Sequence, residues 1–317
     1  MKYTNETLSY YAKPLSKSEK DNCESTIRVV KNILENFGFR TTRSKNNSNE
    51  DELDYSYTMI KDNREFTVLL QGSYGNGTGV RQESDVDVSI ISESVWHGNY
   101  KHFKREHYGF VDSDFSIIDF KYDLASFINL NYPNRIRIGN KCIDFEGNGT
   151  SRKNVDLVPC YRYRDYSNDL QGTPNNYVGG IYIECKDGNV IINYPEQTRI
   201  NSTKKNNDTN YYYKKVVRTL KNIKNDMKDN GIMSANAVSS FALESIIYNV
   251  PNSIIDGCYN SMYERINAVI TYLYNYKNSI KFFKEPNEIL YIFNNPNNVY
   301  EEICDFINDL WRFFDEN

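Results

Sequence analysis

Gly72-Ser73 stands twelve residues ahead of an Asp-x-Asp pair, Asp85 and Asp87, in Leu70–Ile91, LQGSYGNGTGVRQESDVDVSII. Small residues at a turn let backbone N–H groups and a hydroxyl approach phosphate oxygens closely, which is the chemistry Gly72 and Ser73 offer. Asp85 and Asp87 fall two apart in Asp-Val-Asp-Val-Ser-Ile, a period-2 strand pattern, so both carboxylates project from one face. Two carboxylates at ~5 Å repel by about 3 kcal/mol in an effective dielectric of 20. A cation between them removes that cost. Hard oxygen ligands on one side, with phosphate oxygens supplied by a substrate, describe a Mg²⁺ site.

A two-metal phosphoryl or nucleotidyl transferase needs a further carboxylate to complete the ion sites and help deprotonate an attacking hydroxyl. Asp156, in Asn-Val-Asp-Leu-Val-Pro, is the candidate: a lone acid among apolar residues on a predicted strand. Alone it reads equally well as a solvent-facing residue on a half-exposed strand. Beside Gly-Ser and Asp-x-Asp, the metal reading is preferred.

These residues need elements to hold them. Residues 17–38 predict an amphipathic helix with Ile27, Val30, Ile33 and Leu34 on one side and Gly38 past its end. The Asn/Ser-rich run at 44–50 reads as a loop, and strands are expected at about 66–71 and 86–92. The stretch 96–114 is polar, basic and aromatic without a period, and reads as a surface insertion. A helix over Ile117–Ile128 follows, then short strands Arg135–Ile138 and Lys141–Phe145 around Gly139-Asn140, a strand within Lys153–Tyr163, and a hairpin over Gly180–Tyr194 turning at Asp187-Gly188. A polar linker is expected at 196–208. Beyond it the pattern is helical: 209–229, Ser239–Val250, Tyr263–Tyr276 and Val299–Phe314. In the first of these, Val216, Leu220, Ile223 and Met227 form one stripe, and Lys214, Arg218, Lys221 and Lys228 lie on the opposite face, solvated or neutralising a triphosphate. The expected division is a catalytic lobe at 1–200 and a helical lobe at 201–317.

The 317 residues are long enough for one large or two closely packed domains, and a net charge of −4 argues against global attraction to nucleic acid. The N-terminus has no apolar leader pattern and no segment approaches ~20 apolar residues, so a soluble, cytoplasmic protein with no membrane association is expected. Cys23, Cys142, Cys160, Cys185, Cys258 and Cys304 show no C-x-x-C or paired Cys/His spacing, and reduced thiols are the expectation. His97, His102 and His107 are spaced by five, which does not stack them on a helix face for metal binding.

QGSYGNGT, SDVDVSI, NVDLVPCYRY, the NYP after the hairpin, the VVRTLKNIK helix and SSFALESIIYNVP occur in that order over roughly residues 66–250. Together they resemble the bacterial CD-NTases (cyclic GMP-AMP synthase/DncV-like nucleotidyltransferases) of the polymerase β superfamily. INYPEQ followed by KKNNDTNYYYKKVVRTLK looks most like clade E. The resemblance implies an α+β fold: a polymerase β-like nucleotidyltransferase core, a mixed sheet with flanking helices, plus a C-terminal helical lobe. It implies two Mg²⁺ ions (Mn²⁺ as a substitute) on Asp85, Asp87 and Asp156, the catalytic carboxylates. Nucleotide binding would involve Gln71, Gly72, Ser73 and Arg218, with Lys221 and Ser240 on phosphates, Phe241 stacked on a base and Tyr182 influencing base choice. The implied activity is synthesis of a cyclic oligonucleotide, most simply a cyclic dinucleotide, from ribonucleoside triphosphates in anti-phage signalling, the product acting on an effector protein. The zinc ribbon by which the animal synthase binds DNA has no counterpart here.

The expected mechanism is two successive transfers in one cleft between the lobes. Asp156 would help activate a ribose hydroxyl for in-line attack on an α-phosphate, with loss of pyrophosphate. Two other readings compete: a transferase that places a single nucleotide on RNA, protein or a small molecule, and an inactive nucleotidyltransferase fold that binds RNA. Basic residues at Lys101, Lys104 and Arg105, at Arg135 and Arg137, and at Lys204 and Lys205 offer surfaces for an RNA activator of an active enzyme.

Overall fold

The computed structural model describes residues 3–49, 52–81, 85–110 and 112–315; Ser84, at the head of the SDVDVSI segment, and Val111, within 96–114, lie outside them. In chain order the elements are α1 (Asn5–Tyr11), α2 (Lys17–Asn36), β1 (Arg40–Asn46), β2 (Tyr55–Lys61), β3 (Arg64–Gln71), α3 (Gly72–Asn76), β4 (Asp85–Asn99), α4 (Ile117–Asn131), β5 (Ile136–Ile138), β6 (Ile143–Phe145), β7 (Asn154–Asp165), β8 (Val178–Glu184) and β9 (Val190–Asn193). Then come α5 (Pro195–Asp208), α6 (Tyr212–Asp229), α7 (Ser234–Ala237), α8 (Ser240–Tyr248), α9 (Asn252–Ile255), α10 (Met262–Asn275) and α11 (Tyr300–Asp315). Two compact units result: a sheet unit of Ser16–Gly75 and Glu83–Glu196, and a helical unit of Met1–Leu15, Asn76–Gln82 and Gln197–Asn317.

The sheet unit holds a nine-stranded sheet in the order β1-β2-β3-β4-β7-β6-β5, with β8 on β7 and β9 on β8. β4 and β7 pair in parallel, while their other neighbours run antiparallel. Strand alternation separates two faces. One carries Phe66, Val68, Val88, Ile90, Val155 and Leu157, all buried, and it receives α4, whose Phe120 ring stacks on Phe66. Ser16 starts α2 through a reciprocal capping box with Glu19. The other face holds a small apolar cluster of Leu69, Ile91, Val158, Cys160, Ile181 and Ile183. In the helical unit, the stripe Val216, Leu220, Ile223 and Met227 of α6 is buried with Leu243 and Ile246 of α8, Ile266, Val269 and Ile270 of α10, and Phe306 and Leu310 of α11.

Four expectations need correction. The run read as a loop from 44 is strand to Asn46; β1 is an edge strand, almost wholly exposed, so backbone pairing with β2 defines it and no apolar alternation announces it. Within 96–114, β4 continues to Asn99 after a register shift between Ser92 and Trp96, which breaks the period-2 signal. The linker at 196–208 is the helix α5. Its buried residues are Thr198, Ser202, Lys205 and Asn206, so it has an inward face without a hydrophobic one. Finally, the charged side of α6 is solvated only at Lys228: Lys214, Arg218 and Lys221 are buried, as is Lys224.

Candidate active site

β3 delivers the chain to Gly72 at φ +67, in the left-handed region that glycine tolerates. A Cβ there would stand 2.0 Å from Asp87 Oδ2, so Gly72 leaves the space that the Asp87 carboxylate occupies. Ser73 follows on the short helix α3. Gln71 is the register partner of Asp87 on β4, and Asp87 is in turn the register partner of Asp156 on β7. Gln71, Asp87 and Asp156 therefore lie side by side across three strands on one face, and Asp85 shares that face two residues before Asp87. Asn154 donates to Asp85 Oδ1 at 3.0 Å.

A further acid joins them. Asp144 on β6 is the register partner of Asp156 from the other side. Cys142 donates its thiol hydrogen to Asp144 Oδ1 at 2.9 Å, and Arg137 holds Asp144 Oδ2 at 2.6 Å. Ligand atoms of Cys142, Asp144 and Asp156 lie within 4.8 Å of one another, and Asp85 and Asp87 stand outside that group. Burial, followed by the charges of Asp144 and Asp85, pushes the Asp156 carboxyl above the usual carboxylate range. Crowded carboxylate oxygens fit a hard divalent cation. Sequence reasoning missed Asp144. It is visible as the acid in the short strand Ile-Asp-Phe, but its register against Asp156 is a property of the folded sheet.

Tyr182 requires a correction. It is the register partner of Tyr161, whose position on β7 is odd relative to Asp156, so both tyrosines point to the face opposite the carboxylates. Contacts agree: Tyr182 stacks on His97 at 3.9 Å, His97 meets Tyr161 edge-on, and the Tyr161 hydroxyl donates to Phe115 O next to α4. The base-reading role assigned to Tyr182 does not fit that placement. His97 thereby belongs to the sheet, and burial holds its ring below the usual histidine range.

In the helical unit the predicted residues are clustered but inward. Arg218 spans Ala12 O and Gly77 O at 2.8 and 2.7 Å. Lys221 donates to Thr78 O at 3.1 Å and sits 3.5 Å from Glu244. At Arg218 and Lys221 the charged face of α6 is thus an internal one. Ser240 begins α8 half-buried, with its hydroxyl accepting from Lys224 at 3.2 Å, and Phe241 beside it is also half-buried. Lys224 was passed over in sequence, although its i+3 spacing from Lys221 places it on the same side. Of the basic residues considered for RNA, Lys205 is buried on Val250 O and Asn252, and Arg105, Arg135, Arg137 and Lys204 each pair with an acid.

The C-terminal helical domain of the cGAS/DncV-like nucleotidyltransferases matches residues 200–315. Cyclic GMP-AMP synthase CdnE03 of Staphylococcus schleiferi is 40% identical over 324 residues, covering 99% of this chain and 98% of that protein. The chain belongs to the CD-NTases. Cyclic dipyrimidine nucleotide synthase CdnE of Cecembia lonarensis is 30% identical over 297 residues, covering 92% and 91% of the two chains. The solved Elizabethkingia meningoseptica CdnE cyclic dinucleotide synthase, bound to GTP and Apcpp, superposes with a TM-score of 0.74 at 26% identity, covering 98% of each chain. These relatives place it in clade E, as the motif order implied. It is an enzyme, a nucleotidyltransferase, and the mixed sheet with flanking helices plus a helical C-terminal domain is the polymerase β-like architecture expected for this CD-NTase.

Proposed function

We propose that this CD-NTase joins two ribonucleoside triphosphates into a cyclic dinucleotide that serves as a signal in anti-phage defence. The observation that carries the chemistry is the direct register of Asp87 with Asp156 across the parallel β4–β7 pair, beside the notch at Gly72. Asp85, Asp87 and Asp156 would hold two Mg²⁺ ions, which when bound neutralise triphosphate charge and acidify the attacking hydroxyl. Ser73 and the turn at Gly72 hold phosphate oxygens. Asp156 orients a ribose hydroxyl and accepts its proton, releasing it to solvent. The ribose oxygen bonds to the α-phosphorus of the other nucleotide as the bond from that phosphorus to the bridging oxygen breaks, and pyrophosphate departs. The same step, repeated on the linear product, closes the ring.

Triphosphate substrates are supported by the GTP and Apcpp in the Elizabethkingia structure. Relatives carry names for GMP-AMP, dipyrimidine and dipurine products, so base choice varies within the clade. ATP with GTP is the pair to test first, following the relative at 40% identity. The decisive experiment incubates the protein with all four ribonucleoside triphosphates and Mg²⁺ and identifies phosphatase-resistant products by mass spectrometry. A cyclic dinucleotide that disappears in Asp87→Ala, with the fold retained by circular dichroism, is expected. Pyrophosphate release by that variant would overturn the site assignment. A product that stays linear, or one attached to an added RNA, would favour the acceptor-directed transferase.

A further inference from the structure

Residues 76–78, which follow Ser73 and α3 and belong to the helical unit, are held within that unit by buried charged side chains. Thr78 is fully buried and donates its hydroxyl hydrogen to Glu244 Oε2 at 2.7 Å. Asn76, the last residue of α3, reaches Glu244 Oε1 at a long 3.5 Å. The backbone carbonyls of the same segment are engaged as well: Gly77 O accepts from Arg218, and Thr78 O accepts from Lys221. Arg218, Lys221 and Glu244 are each no more than 2% exposed. Burying such charges is costly, and apolar residues of similar volume would pack the space more cheaply. What the charges provide is direction. A carboxylate with a threonine on one oxygen and two cations on neighbouring carbonyls admits few loop conformations, whereas an apolar contact would admit many.

We propose that Glu244 is a positioning residue for nucleotidyl transfer, acting through Thr78 to fix the stretch of chain that follows Ser73 and α3. This rests on the proposed function, because the segment has a catalytic consequence only if Ser73 holds a nucleotide. Glu244 and Thr78 touch no reacting atom. A loop freed by even a small amount misplaces the phosphate-holding turn, and a misplacement near 1 Å lowers rate by roughly 100-fold.

The test compares Thr78→Val, Thr78→Ser, Glu244→Gln and the Thr78→Val/Glu244→Gln double variant. Thr78→Val removes only the hydroxyl at nearly constant volume. It is expected to lower kcat about 10–100-fold while KM for the triphosphates stays within about 3-fold. Thr78→Ser restores most of kcat. The double variant falls by less than the product of the two single losses, since both changes act on the Thr78–Glu244 contact. Full kcat in Thr78→Val, failure of Thr78→Ser to rescue, or additive losses in the double variant would each overturn the proposal while leaving the cyclase reading intact. If the wild type forms no product from any triphosphate mixture, the functional reading fails instead. Amide hydrogen exchange over residues 77–81 then judges the clamp alone. Faster exchange in Thr78→Val supports it, and unchanged exchange overturns it.

Discussion

Gly72 has no room for a methyl group, which makes it the most constrained residue beside the carboxylates. Gly72→Ala must displace the Asp87 carboxylate and adopt a left-handed backbone, so turnover should drop at least about 100-fold with only a modest loss of melting temperature. Asp156 offers a complementary check. Its charge is disfavoured by burial and by Asp144 and Asp85, so Asp156→Asn should abolish product yet raise the melting temperature in chelator at neutral pH. That gain should fade as pH falls into the ordinary carboxylate range, where Asp156 takes up its proton in any case. Sequence alone exposed Gly72, Asp85, Asp87 and Asp156 because their types and spacing are unusual for a strand end. It did not expose Asp144, whose significance is a register partner, nor the facing of Tyr182, which depends on counting pleats along a strand whose start is set by pairing.

Arg162 ties neighbouring elements together on the carboxylate-bearing face. It is buried, bidentate to Glu93 of β4 at 2.6 and 2.9 Å, and reaches Glu196 at the start of α5 at 2.7 Å. Arg162→Ala strands two acids and should destabilise by roughly 3–5 kcal/mol, read as a shift in the urea midpoint. Glu285 makes an element-level prediction of opposite kind. Burial pushes its carboxyl from 4.5 up to about 7. The unfolded chain therefore ionises first as pH rises, and stability should decline between about pH 4.5 and 7 by about 3 kcal/mol, then level off. Glu285→Gln should flatten that interval in melting-temperature profiles. Elements with an apolar stripe, such as α2, α6, α10 and α11, were legible in sequence. α5 and β1 were not, because a helix buried through Thr198, Ser202, Lys205 and Asn206 and an exposed edge strand show no hydrophobic period.

Across the whole molecule the described residues contain no disulfide, and Cys258 is the exposed cysteine among six, with Cys142 and Cys304 partly covered. A thiol reagent should therefore modify one site quickly in the native protein and all six after denaturation, with Cys258→Ser removing the fast phase. The parallel pairing of β4 with β7 has a consequence in time. Asp87 and Asp156 are 69 positions apart in the chain, yet they are register partners. Closing so long a loop is entropically slow compared with forming the β2–β3 hairpin or the helices. A growing polypeptide that has emerged only as far as β6 already carries Asp85 and Asp87 beside β3 but lacks β7, the strand that sets Asp156 next to Asp87. The carboxylate arrangement should therefore be completed late in folding and a partly folded chain should be silent: refolding should restore helical circular dichroism before it restores product formation.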